Sequence, residues 1–178
     1  RVAEERGADP VDTFLDLMIE HDRALRWHTC LANDRPDTLA AIMRSPDAQM
    51  SFADSGAHIR NMAFYNFPLR MLKRVRDAAN AGTPIMPVER AVRRLTGELA
   101  DWFGLDAGHL REGDRADLVV IDPARLDERL AQLHFAPFPG FDTFDRLVDD
   151  GDAVRDVLIA GTPVVAAGAP LPRLGRER

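Results

Sequence analysis

The stretch Ala48-Gln49-Met50-Ser51-Phe52-Ala53-Asp54-Ser55-Gly56-Ala57-His58 reads as a short buried strand that ends at Asp54 and opens into a polar turn. In barrel enzymes the C-terminal ends of strands carry the catalytic groups, because side chains there converge on the barrel axis. A carboxylate in that place can ligate a metal or take a proton from an attacking water. Gly56 would allow a tight turn or a close approach to a ligand, and His58 could share the site with Asp54. The plainer alternative is that Asp54 only caps the helix that follows, and spacing alone favours that cap. Likewise, Asp-x-x-x-His is a weak metal signal, and His58 could be an ordinary first-turn residue.

On the C-terminal side a long helical stretch is expected from Ile59 to Ala79, kinked or split by Pro68. Arg70, Lys73, Arg74 and Arg76 follow helical spacing there and read as a solvated face. Ala81-Gly82-Thr83-Pro84 is a loop. A further helix opens at Pro87, with Val88, Ala91, Val92, Leu95, Leu99, Trp102 and Phe103 on one face and Gly104 as its C-cap. Beyond Gly108 the pattern changes. Leu118-Val119-Val120-Ile121 is a β-branched strand stopped by Asp122-Pro123. Residues 125–151 look irregular. Val154 to Ile159 and Val164 to Ala167 form a hairpin across Ala160-Gly161-Thr162-Pro163, and the tail from Pro170 reads as loose.

On the N-terminal side Asp9-Pro10 starts a helix whose stripe is Phe14, Leu15, Leu17, Met18 and Ile19. Arg26 to Leu31 could be a strand, Asn33 to Pro36 is a turn, and Asp37 to Arg44 a helix broken by Ser45-Pro46-Asp47. His28 is a second pocket candidate, whereas His21, His109 and His134 read as surface or loop histidines. Cys30 reads as a small buried apolar residue. The chain opens on Arg1-Val2-Ala3-Glu4-Glu5, already the middle of a helix, so an upstream portion is expected.

Composition narrows the class. The chain has 178 residues, 46% hydrophobic and 29% charged, enough to bury a core. Its net charge of −6 argues against a nucleic-acid or anionic-membrane partner. With one cysteine no internal disulfide can form, which suits a reducing, cytoplasmic setting. No apolar run approaches the roughly 20 residues that span a bilayer.

Five pieces, in one order, resemble the N-acyl-D-amino-acid deacylase (D-aminoacylase-like) branch of the amidohydrolase superfamily. Phe52 to His58 is similar to the branch's S-D-G-G-A-H segment, with Ala53 where Ser is usual. Gly7 to Asp12 resembles its G-x-D-P-x-D helix start. Pro87 to Thr96 resembles P-x-E-x-A-V-R-x-L-T. Leu110 to Asp122 resembles a segment ending A-D-L-V-V-x-D, and Val157 to Val165 a V-x-V-N-G-x-x-V hairpin, both shared widely across the superfamily.

The resemblance implies an α/β chain: the C-terminal fragment of a TIM-like barrel in residues 1–108, then strands of a small β-sandwich in residues 109–178. It implies a zinc-dependent hydrolase of non-peptide amide bonds, acting on N-acyl-D-amino acids. Asp54 would be the catalytic proton carrier and a metal ligand, with Gly56 and His58 in the substrate pocket. The other zinc ligands would lie upstream, so this chain alone is expected to be inactive. Its expected partners are a small-molecule amide, the missing N-terminal barrel portion and, through uncovered apolar faces, a second copy. The competing expectations are a complete α+β binding or scaffold domain, or a subunit that pairs with an N-terminal half.

Overall fold

A computed structural model describes residues 1–25, 32–50, 65–132, 134–138, 141–148 and 151–172, with the backbone alone for 135–138 and 141–148. The chain divides into two compact units, Arg1–Leu39 and Ala40–Arg178. In the first, α1 (Val2–Arg6) ends on Gly7, whose φ of 63° is the left-handed cap that a glycine adopts without strain. Asp9 caps α2 (Pro10–His21), its carboxylate accepting from the N–H groups of Val11 (2.8 Å) and Asp12 (3.3 Å). Arg6 closes a two-toothed ion pair on Glu20 at 3.0 and 2.9 Å. The expected apolar stripe of α2 is not buried: Phe14, Leu15, Met18 and Ile19 are all exposed, and Thr13 is the buried residue instead. One reason is length, since α1 is five residues long and can cover little more than one turn of its neighbour.

Helix α3 (Pro36–Arg44) contains the boundary between the units. The second unit continues with α4 (Phe67–Asn80), α5 (Val88–Leu95) and α6 (Gly97–Phe103). Its core consists of Met43, Met71, Leu72, Val75, Met86, Ala91, Ala100, Leu126, Leu130 and Ala153. Residues 59–64 of the helix expected from Ile59 lie outside the described residues; α4 begins at Phe67 with Pro68 in its first turn, where a missing N–H costs nothing.

The helix expected from Pro87 to Phe103 is two helices. The Thr96 hydroxyl donates to the Val92 carbonyl at 2.9 Å, while the Thr96 N–H turns to Arg93 at 3.2 Å. The helical ladder breaks there, with Thr96 at φ −131° and ψ −96°. Gly104 caps α6 at φ 66°, as expected. The buried face also differs. Ala91 is buried as expected, but Val88, Val92, Trp102 and Phe103 are exposed, and Arg94, Gly97 and Ala100 complete the inward row.

Strand β1 (Leu118–Ile121) matches the β-branched run. The stretch expected to be irregular contains a hairpin, β2 (His134–Phe138) and β3 (Phe141–Val148), paired from His134↔Val148 onward. Pro137 masked this strand in the sequence. A proline removes one ladder donor, but in a two-stranded ribbon every strand is an edge and can present that side outward. Then come β4 (Val154–Ile159), β5 (Thr162–Ala166) and β6 (Ala169–Pro170), in the antiparallel order β1-β4-β5-β6. The β4–β5 turn places Ala160 (φ 48°) and Gly161 (φ 78°) in the left-handed region, as a two-residue hairpin requires. Asp117 steadies it by accepting from the Ala160 N–H at 2.7 Å.

The protein is therefore an α/β chain, helices first and antiparallel sheets after. Among the described residues no parallel strand pair occurs, so a barrel fragment is not part of the described architecture. No helix of the described residues is long and apolar enough to cross a membrane.

Candidate functional site

Asp54, Gly56 and His58 lie outside the described residues, as do His28 and Cys30. What the structure describes is the chain on either side of residues 51–64. Upstream, α3 ends at Arg44 and the Ser45 hydroxyl accepts from the Asp47 N–H at 3.2 Å, turning the chain at Ser45-Pro46-Asp47. Downstream, Asn66 occupies the cap position of α4, and its side-chain amide donates to the Leu130 carbonyl at 3.0 Å. Leu130 is itself core, so Asn66 ties the start of α4 to the short 3-10 turn Glu128–Ala131.

The turn at Ser45 is held from α5. The Arg94 guanidinium donates through Nη1 to the Ser45 carbonyl at 2.8 Å and through Nη2 to the Ala48 carbonyl. Arg94 is fully buried, the one charged side chain among the described residues that is. Glu98, one turn on, lies 3.4 Å from Arg94 Nη1, and its other oxygen lies 2.8 Å from Arg90 Nη1. Among the described residues, four buried polar atoms in this region have no hydrogen-bond partner: Arg94 Nε, Gln49 Oε1, Asn66 Oδ1 and Glu98 Oε2, the last of which keeps its ion pair with Arg90. Each of the first three costs about 1–3 kcal/mol.

A second cluster surrounds His109, which is not the plain loop histidine expected. Its Nε2 lies 2.7 Å from Asp101 Oδ1, and Arg111 Nη2 lies 3.5 Å from its Nδ1. A guanidinium can only donate, so in the neutral ring Nδ1 accepts and the proton sits on Nε2, facing Asp101. That hydrogen bond holds the Asp101 carboxyl below the usual carboxylate range. The ring rests on Gly97, where a Cβ would lie 2.7 Å from His109 Cε1. Asp101, His109, Arg111 and Asp114 line a shallow polar pocket.

Of the basic residues on α4, Arg74 is exposed as expected, but Lys73 and Arg76 are tied to the protein. Lys73 reaches Asp77 and Glu128, both at 2.7 Å, and Arg76 donates to the carbonyls of Pro123 (2.6 Å) and Leu126 (2.5 Å). These contacts join α4 to the segment after β1. His21 is about half exposed and His134 is exposed, as expected of surface histidines.

Zinc needs three or four ligands that converge. Among the described residues no group of three or more His, Cys, Asp or Glu is placed to hold a metal ion. The described residues therefore do not fit a zinc site by themselves.

Arg94 and His109 were missed by sequence reasoning. The signal for Arg94 was a row at spacing three, Ala91, Arg94, Gly97 and Ala100, in which one charge stands among small residues. A stripe of small residues marks close approach of backbones, and a charge within it needs fixed partners.

Comparison with known proteins gives the following. No family model matches the chain. Uncharacterized proteins of Mycobacterium bovis and Mycobacterium tuberculosis are 50% identical to it over 168 residues, 94% of this chain. The chain spans 28% of the length of those relatives. Among solved structures, a crystal structure of D-aminoacylase, described as defining a novel subset of amidohydrolases, is similar to 62% of this chain. That likeness covers 21% of the D-aminoacylase chain at 24% identity, with a TM-score of 0.40.

Proposed function

We propose that this chain is the C-terminal portion of a metal-dependent hydrolase of non-peptide amide bonds, with N-acyl-D-amino acids as its substrate class. The observation that carries this reading is the set of five motifs that occur in one order between Gly7 and Val165. In this reading residues 1–108 complete a TIM-like barrel begun upstream, and residues 109–178 belong to a small β-sandwich. Zinc is assigned to the whole protein, with ligands outside the described residues.

Asp54 serves as the proton carrier. A water oxygen bonds to the amide carbonyl carbon while the carboxylate takes its proton. The proton then passes to the leaving nitrogen as the C–N bond breaks, releasing a carboxylate and an amine. Such positioned proton transfer contributes about 10²–10⁴-fold to rate.

The experiment offers the full-length protein N-acetyl-D-amino acids, their L-enantiomers and N-carbamoyl analogues, and measures amine release. Release from the D-series, suppressed by a chelator and restored by zinc, is the expected result. A folded protein that releases nothing from any of them overturns the reading and leaves a binding or scaffold domain.

A further inference from the structure

We propose that His109 is a pH-sensitive latch: with one ring proton it joins Arg111 to Asp101, and with a second it keeps Asp101 and releases Arg111. The latch does not depend on the hydrolase reading and stands on the arrangement of three side chains. Asp101 belongs to α6, while His109 and Arg111 lie on the stretch that leads from α6 to β1. His109 Nε2 lies 2.7 Å from Asp101 Oδ1, and its Nδ1 lies 3.5 Å from Arg111 Nη2. Both ring nitrogens are therefore engaged, Nε2 as donor and Nδ1 as acceptor.

Histidine is the side chain that ordinarily takes up a proton between about pH 5 and 8, and the new proton goes to the nitrogen that was accepting. Here that nitrogen is Nδ1. Once protonated it offers a guanidinium no acceptor, and two cations stand 3.5 Å apart. One of them must move. The ring is wedged over the start of α6, where a Cβ on Gly97 would lie 2.7 Å from Cε1 and 3.0 Å from Nδ1. Asp101 holds the ring through Nε2 and becomes its counter-ion. Asp101 stays ionised through this range, because the hydrogen bond from His109 holds its carboxyl below the usual carboxylate range. Arg111 is exposed on a long side chain, so it is the group that leaves. The other charges around the ring are Arg93 of α5, which acts on Asp101, and Asp106, Asp114 and Arg115, which line the pocket with it. Arg115 is taken up by Asp117 at 3.0 Å, and Asp114 accepts from the Arg111 N–H at 3.1 Å. Asp101, Asp106 and Asp114 face Arg111 and Arg115 in the pocket, an excess of one negative charge that the second proton on His109 cancels.

The test is a pH titration of the full-length protein by NMR, with histidine labelled at Cε1 and arginine at Nε. His109→Gln and Arg111→Met assign the two signals by their loss. Between about pH 5 and 8 the Arg111 signal should move with the midpoint of the His109 signal, and in His109→Gln it should stay still over that range. Arg111→Met should raise the proton affinity of His109 at least about twofold, because the opposing cation is gone, and Asp101→Asn should lower it at least about threefold. An Arg111 signal that does not follow His109 overturns the latch. So does a His109 midpoint that either variant leaves in place. Should His109→Gln fail to fold, Asp101→Asn decides: the Arg111 signal must follow the His109 midpoint to lower pH, and a signal that stays behind refutes the latch. No step of the titration uses amide hydrolysis, so failure of the hydrolase reading and failure of the latch are told apart.

Discussion

Arg76 of α4 donates through Nη2 to the carbonyl of Leu126, 2.5 Å away, and Leu126 is 5% exposed. Its Nη1 takes the Pro123 carbonyl at 2.6 Å, so one side chain closes both ends of the 3-10 turn Pro123–Arg125 onto the helical layer. Replacing Arg76 by Met keeps the aliphatic stem, takes this donor from the Leu126 carbonyl, leaves the Pro123 carbonyl with the Leu126 N–H at 3.3 Å, and removes the pair with Asp77 at 2.7 Å. Hydrogen bonds from charged donors contribute about 1.5–3 kcal/mol each, and partial exposure brings the sum down. We expect Arg76→Met to cost about 1–3 kcal/mol by urea unfolding, and Arg76→Lys to recover at most half. A loss below about 0.5 kcal/mol would show the clamp to be ornamental.

The Lys73 pairs predict how stability responds to pH. Lys73, 18% exposed, lies 2.7 Å from both Asp77 and Glu128. The hydrogen bond from Lys73 holds the Asp77 carboxyl below its usual range. A carboxylate depressed in the folded state stabilises above its unfolded pKa, and the contribution is lost as pH falls through the lower folded value. Hydrogen bonds to Asp77 and then Glu128 push Lys73 up, so its contribution is present below its unfolded pKa and lost as pH rises through the folded value. The urea midpoint of wild type should therefore fall below about pH 4 and again above about pH 10. In Asp77→Asn the acid limb should flatten; an acid limb identical to wild type would remove Asp77 from the account.

Gly97 and Gly108 pack the start of α6 against the loop that carries His109. A Cβ on Gly97 would meet His109 Cε1 at 2.7 Å and the Gly108 carbonyl at 3.1 Å. One on Gly108 would meet the Thr96 carbonyl carbon and oxygen at 2.9 Å, at a φ of +79°. Overpacking costs about 1–3 kcal/mol, against at most about 1 kcal/mol gained from helix propensity at Gly97. Gly97→Ala should destabilise by about 1 kcal/mol, and His109→Ala in the same chain should relieve it, because a ring can move aside. Gly108→Ala should cost more and resist that rescue, because backbone cannot move aside. Equal effects of His109→Ala on both variants would refute the packing described.

In the full-length protein, Asp54→Asn should lower kcat for amide hydrolysis by at least about 10² while the melting temperature stays within a few degrees. Steady-state kinetics on an N-acyl-D-amino acid give the answer. Turnover within threefold of wild type would return Asp54 to the role of a helix cap.

Much of this architecture was legible because it is local. Asp9 caps α2 through its own neighbours, Asp122-Pro123 stops β1, Gly104 ends α6, and Ala160-Gly161 turns β4 into β5. Each is set by dihedral preference and a hydrogen bond within a few residues, and both are written in order along the chain. The change from helix to strand between Phe103 and Leu118 was visible for the same reason.

Burial was not legible, because it depends on partners distant in sequence. Periodicity selected Val88, Ala91, Val92, Leu95, Leu99, Trp102 and Phe103 as one face; Ala91 is buried, but Val88, Val92, Trp102 and Phe103 are exposed, and Arg94, Gly97 and Ala100 complete the inward row. Helices that approach closely need small residues, and hydrophobicity alone ranks those low. Lys73 and Arg76 on α4 looked solvated until Asp77, Glu128 and the carbonyls of Pro123 and Leu126 were brought beside them. The β2–β3 hairpin was hidden by Pro137, whose penalty depends on which edge its missing N–H faces. The sequence by itself determined the local caps and turns, most of the helices and strands, and the motif order that points to Asp54. Only the tertiary structure decided that Arg94 is interior and that its two donors hold Ser45 and Ala48. A charge is buried only where folding brings it acceptors, and those acceptors are main-chain carbonyls, which no side-chain pattern announces.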